Sequence, residues 1–145
     1  MATLIDIYNP FKKYMGDGTI VFGTDTLKIA LVTSAYTPNA EHGQWADVSA
    51  NEVATGSGYT TGGATLGTVT YTRSGGTTTL DAADPSWTTL TKTFRYAVIY
   101  ANVTRNGVTN PLIACILLDD TPADVVVTAT TWAIAWAATG ILTHS

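Results

Sequence analysis

Two short runs, residues 94–100 (FRYAVIY) and 112–118 (LIACILL), are apolar on both faces and rich in β-branched and aromatic side chains. Runs this short fit strands buried on both sides better than helices, so they read as the central strands of a sheet. Asn106-Gly107 lies between them and marks a turn. Other segments show the period-2 alternation of strands. In residues 26–33 (TLKIALVT), Leu27, Ile29 and Leu31 fall on one face and Lys28, Ala30 and Val32 on the other. Residues 68–73 (TVTYTR) set Val69 and Tyr71 against Thr68, Thr70 and Thr72, and Ser74-Gly75-Gly76 then reads as a hairpin turn into residues 77–80. Residues 125–127 and 131–137 (TWAIAWA) continue the pattern, with Trp132, Ile134 and Trp136 on one face. Trp132 and Trp136 would also suit a helix, but the strongly β-forming VVVTATT before them favours a strand.

The chain has 145 residues, enough for one domain that buries roughly two-thirds of its unfolded surface. Charged residues make up 12%, about half the usual share, and threonine is the commonest residue. Threonine and aromatics suit pleated, half-buried surfaces. The expected fold is therefore all-β: an antiparallel β-sandwich or jelly-roll-like single domain over residues 1–145, with one long loop and at most short helical turns.

The net charge is −4, and the three arginines and four lysines are scattered. Nucleic-acid binders concentrate basic residues on one face, so no nucleic-acid partner is expected. Cys115, the only cysteine, sits in PLIACILL, where a buried, inert thiol is the default. It can form no internal disulfide. The N-terminal MATLIDIYNPFKKY lacks the apolar core and cleavage site of a secretory signal, and no apolar run approaches the ~20 residues that span a bilayer. The expectation is a protein made in the cytoplasm and kept out of the membrane. So low a charge density suggests that partners cover much of the surface.

Residues 40–53 (AEHGQWADVSANEV) have poor strand character and read as a long loop with one helical turn near Trp45 to Val48. Residues 10–16 (PFKKYMG) suggest another short helical turn. Long connections in compact domains often carry function or meet a partner. The exit from the loop, residues 51–63 (NEVATGSGYTTGG), holds four glycines around Tyr59. A phosphate-binding loop would need a lysine and a hydroxyl next, opening a helix. Ala64, Thr65, Leu66 and Gly67 follow instead, and no lysine occurs between Lys28 and Lys92.

Catalytic candidates are sparse. His42 lies in the long loop near Glu41 and Asp47 without a second histidine or cysteine for a metal site, and His144 is next to last. A solvated or loop-bonded role suits His42 better. The pairs Asp81/Asp84 and Asp119/Asp120 precede Pro85 and Thr121-Pro122, where aspartates cap turns, and neither has calcium-loop spacing. No G-x-S-x-G occurs. The expectation is a protein without catalytic activity, metal or cofactor. The tyrosines and tryptophans could form a sugar platform, but core and interface packing accounts for them better.

The ordered set of segments resembles a family of small bacteriophage virion structural proteins. It runs from TLKIALVTSAYTP through EHGQWADVSANEV, GYTTGGATL, a WTTLT stretch, RYAVIY and PLIACI to a C-terminal WAATGIL, roughly residues 4–142. Members are described as capsid decoration (cement) proteins, tail-associated proteins or virion proteins. The resemblance implies a decoration protein on the virion capsid surface that contacts the major capsid protein and self-associates, as a trimer if it sits on threefold positions. The alternative it leaves open is a tail-fibre or tail-associated module recognising host glycans. In a structural protein of this kind, Gly58, Gly62 and Gly63 would let the backbone turn beside Tyr59 so that the ring packs inward. Trp45 in the preceding loop joins them as a structural or interface candidate.

Overall fold

The computed structural model describes residues 4–119, 121 and 123–144. Strand β1 (Leu4–Ile7) leads into helix α1 (Asn9–Gly16), then β2 (Leu27–Val32). After the long loop come β3 (Ala64–Thr65), the hairpin β4 (Thr70–Ser74) and β5 (Thr77–Asp81), and β6 (Ser86–Phe94). The chain continues through β7 (Tyr96–Ala101), the short hairpin β8 (Thr104–Arg105) and β9 (Val108–Thr109), β10 (Leu112–Leu117), β11 (Val125–Ala133) and β12 (Leu142–His144). The fold is all-β, and every strand pairing among the described residues is antiparallel.

Five strands form the main sheet in the order β1-β10-β7-β2-β3. The two runs apolar on both faces become its interior strands, and residues 97–101 and 112–116 are all buried. Ala97 makes room for a large side chain on each flank, Leu31 on one and Ile116 on the other, while Ile29 pairs with Ile99. The remaining strands form the ribbon β11-β6, the sheet β12-β5-β4 and the hairpin β8-β9. Their pairings do not trace the two four-stranded sheets of a jelly roll. One apolar cluster draws residues from all the larger sheets, including Trp87, Leu90 and Phe94 of β6 and Leu80 and Leu142 of the three-stranded sheet.

Three sequence expectations need correction. Residues 94–100 are not one strand, because β6 ends at Phe94 and β7 begins at Tyr96. Arg95 turns the chain between sheets: its N–H donates to Val32 O at 2.9 Å, and its Nε pairs with Asp124 Oδ1 at 2.9 Å. Phe94 thereby leaves the main sheet and meets Trp132 edge-on, with centroids 4.8 Å apart. Residues 125–133 are one continuous strand that stops before Ile134, whose N–H bonds Pro85 O at 3.0 Å instead. Trp132, Ile134 and Trp136 do point inward, Ile134 fully and both tryptophans in part.

The segment read as a helical turn is a regular eight-residue α-helix, so the fold exceeds short turns there. Pro10 sits in its first turn, where the missing N–H costs nothing, and Phe11 and Tyr14 form its buried face. Phe11 contacts Phe22 at 5.8 Å, and Phe22 contacts Tyr71 of β4 at 4.8 Å, which ties the helix to the three-stranded sheet.

The connection after α1 is fixed by the Asn106-Gly107 turn of β8-β9, whose residues take φ of +53° and +76°. Arg105 makes a two-pronged ion pair with Asp25, Nη1 to Oδ2 and Nη2 to Oδ1, each at 2.9 Å. The Asp25 side chain is only 3% exposed. The Arg105 hydrogen bonds hold its carboxyl below the usual range against burial, which pushes the other way. A depressed folded-state pKa adds stability that is present above the unfolded value, about 3.9, and is lost as pH falls through the folded value. We therefore expect thermal stability to fall below about pH 4. Asp25→Asn should lower the melting temperature at neutral pH and flatten that acid limb. A variant whose melting curve tracks wild type from neutral to acid pH would remove Asp25 from the account.

Candidate functional site

The chain leaves β2 at Val32 and re-enters strand structure at Ala64, so the long loop expected over residues 40–53 extends in the structure to residues 33–63. It contains two 3-10 turns, Trp45–Asp47 and Ser49–Asn51. Asp47 Oδ2 accepts the N–H groups of Gly43 at 2.9 Å and Gln44 at 3.1 Å, which closes the first turn at its start. Burial opposes charge on Asp47, but those N–H groups outweigh it and hold the carboxyl below its ordinary value.

Backbone bonds fasten the loop at two places. Thr33 N–H donates to Asn51 O at 2.9 Å and Val53 N–H to Leu31 O at 3.0 Å, so residues 51–53 run beside the end of β2. Trp45 N–H donates to Asn110 O at 2.9 Å, and Leu112 N–H to Gly43 O at 3.0 Å, which docks residues 43–45 on the entry to β10. Val48 and Val53 are buried beneath.

The glycine-rich exit is built around Tyr59. Residues 56–59 form a tight turn, with Ser57 at φ +51° and Gly58 at φ +90°, the two positive values a type I′ turn requires. Gly56 N–H donates to Tyr59 O at 2.8 Å. The turn lies against β6: Thr91 N–H donates to Ser57 O at 2.9 Å, and a Cβ on Gly58 would sit 2.6 Å from Thr89 O. The Tyr59 side chain is only 2% exposed. Its hydroxyl accepts from Leu31 N–H at 3.1 Å and donates to Glu52 Oε1 at 2.7 Å. The same Glu52 oxygen accepts Gly62 N–H at 2.6 Å, and Tyr100 O–H donates to Gly62 O at 2.6 Å. Trp45 stacks on the Tyr100 ring, with centroids 4.8 Å apart and planes 16° from parallel.

Of the five sequence candidates, Trp45, Tyr59 and Gly62 thus meet in one network around Glu52 and Tyr100. Gly58 and Gly63 instead mark where the loop presses on backbone, Gly58 on β6 and Gly63 on β2. Burial pushes the Tyr59 phenol well above its ordinary range and Tyr100 up to about 12, with Glu52 adding to both. Both hydroxyls therefore stay neutral donors near neutral pH. Glu52 and Tyr100 were missed from the sequence. Glu52 contacts groups 7 and 10 residues downstream, and Tyr100 looked like one more core ring.

The groups weighed for catalysis have identifiable bonding roles. His42 Nδ1 bonds Tyr36 O–H at 2.9 Å, which in turn meets Tyr8 O–H at 3.0 Å, so His42 is loop-bonded. Asp81 Oδ1 accepts Ala82 N–H at 2.9 Å, and Asp84 Oδ1 accepts Trp136 N–H at 3.0 Å. Asp119 Oδ1 accepts Thr121 N–H at 3.0 Å and its hydroxyl at 2.7 Å, closing a turn; Asp120 and Pro122 lie outside the described residues. A cavity of about 350 Å³ is lined by Asp6, Ile7, Tyr8, Pro38, Asn39, Ala40 and Cys115. Burial pushes the Cys115 thiol up to about 12, so it is protonated and a poor nucleophile near neutral pH. Among the described residues, no three His, Cys, Asp or Glu side chains converge as metal ligands.

The arrangement offers a pinned surface. The exposed side of residues 46–61 carries Ala46, Ser49, Ala50, Ala54, Thr55 and Thr60, small and uncharged, and one acid, Asp47, whose carboxylate is held by the N–H groups of its own turn. Thr55 Oγ1 accepts Thr61 N–H at 3.0 Å and closes the glycine-rich tip on itself. No protein-family model, curated protein or solved structure matches this chain.

Proposed function

We propose that this protein is a decoration protein of a phage capsid, which binds the assembled shell of the major capsid protein through the outer side of the 33–63 loop. The observation that carries this reading is the loop itself: long, fastened at two places, and lined over residues 48–61 by small uncharged side chains, with the acids Glu41 and Asp47 to one side. A loop already held in one conformation loses little entropy on docking, and small side chains let a broad partner surface approach closely. The direction toward a phage shell comes from the ordered segments that resemble virion structural proteins. The mechanism is mass action. A protein that binds the assembled lattice and not its free subunits draws the equilibrium toward the closed shell, by about 2.7 kcal/mol per site at a concentration 100 times Kd. No observation favours the glycan-binding alternative. Every described tryptophan is at least half-buried, and Trp45, Trp87 and Trp132 pack on other rings.

The test is to mix the purified protein with capsids that lack it and to sediment them. Saturable co-sedimentation at a fixed ratio to the major capsid protein, with a raised shell melting temperature, is the expected outcome. Absence of binding at saturating protein would overturn the reading.

A further inference from the structure

The two edges of the β11-β6 ribbon are finished differently. The outer edge of β6 is covered by the 56–59 turn, through Thr91 N–H to Ser57 O and the close approach of Gly58 to Thr88 O and Thr89 O. The outer edge of β11 has no strand and no backbone hydrogen-bond partner among the described residues. Bare edges of this kind are templates for another strand, and proteins ordinarily blunt them with lysine, proline, bulges or short length. Strand β11 spans nine residues, VVVTATTWA, with no charge and no proline. Its bulges lie between Val127 and Trp132, so Val125, Val126 and Val127 keep regular register with Phe94, Thr93 and Lys92. Val126 is 69% exposed, the most of any large apolar side chain described. The nearest upstream charge, Asp124, is engaged by Arg95.

We infer that the β11 edge pairs antiparallel with the β11 edge of a second copy of this chain, about a twofold axis at Val126. Self-complementary register selects this occupant. Two chains of net charge −4 repel over most of their surfaces, whereas this edge sets no like charges opposite each other. The twofold register places Val126 across from its own copy, Val125 across from Val127 of the second copy, and Asp124 across from Thr128 of the second copy. Those are uncharged β-branched pairs, apart from one acid facing a hydroxyl. The pairing also turns two two-stranded ribbons into one four-stranded sheet. The inference stands independently of the capsid reading, because it concerns a surface remote in sequence from the 33–63 loop.

The experiment is sedimentation equilibrium on the full chain and on Val126→Lys and Val126→Glu, each made separately. Wild type should show a monomer–dimer equilibrium, and each variant should associate at least tenfold more weakly while keeping wild-type circular dichroism, since residue 126 faces solvent. An equimolar mixture of the two variants should regain dimer, because lysine then faces glutamate across the axis. Thr72→Lys, a change at an exposed position on β4, should leave dimerisation unchanged. A wild-type chain that is monomeric at its highest soluble concentration, or an oligomer indifferent to both Val126 variants, would overturn the inference.

Discussion

Tyr59→Ala is expected to lower folding stability by about 3–5 kcal/mol, the cost typical of removing a buried aromatic ring. The ring is nearly inaccessible, and its hydroxyl is the joint between β2 and the loop, through Leu31 N–H and Glu52. A domain of this size commonly has only about 5–15 kcal/mol to lose, so the variant should lie close to unfolding at 37 °C. Tyr59→Phe separates the two contributions. It keeps the ring but leaves the Leu31 N–H without its acceptor and Glu52 Oε1 with only the Gly62 N–H, which costs about 1–3 kcal/mol. Denaturant titration of the three proteins gives the comparison, and equal midpoints for wild type and Tyr59→Ala would mean that the ring is not an anchor.

The second large effect is expected at Gly63. Its φ is +80°, and a Cβ there would lie 2.0 Å from Ile29 O and 2.6 Å from Ile29 C. Neither is the yielding tip of a side chain; both belong to the β2 backbone, and the next residue, Ala64, is paired with Ile29. Gly63→Ala therefore combines left-handed strain of about 1–2 kcal/mol with overpacking of about 1–3 kcal/mol, or the detachment of β3. Gly67→Ala is the matched control, because nothing lies within 4 Å of its Cβ position. It should shift stability by no more than about 0.5 kcal/mol. Similar melting temperatures for the two alanine variants would show that the loop exit is not held against β2 as described.

These two sites also show how far the sequence could be read. Glycine spacing around Tyr59 pointed to tight backbone turning and an inward ring, because a positive φ leaves a compositional mark. The interior strands were legible for a related reason: burial on both faces writes an unbroken apolar run. Strand β6 was not legible as a strand. Its buried residues Trp87, Leu90 and Phe94 are spaced by three and then four, a helical spacing. Thr89 at φ +49° and the register shift opposite it move the inward positions out of period two. The break at Arg95 was hidden likewise, since it depends on a bond to Val32 that no local pattern records. The Glu52 network joins three stretches of chain and is a product of tertiary structure alone.

The central claim is that the pinned loop is the face presented to a phage shell. The most direct measurement is co-sedimentation of capsids lacking the protein with wild type and with a variant carrying Ala50→Glu and Ala54→Glu, two exposed loop positions. Wild type should saturate the shell at a fixed ratio and raise its melting temperature. The charged variant, folded and equally stable alone, should bind at least tenfold more weakly. Equal binding by both, or by neither, would contradict the account.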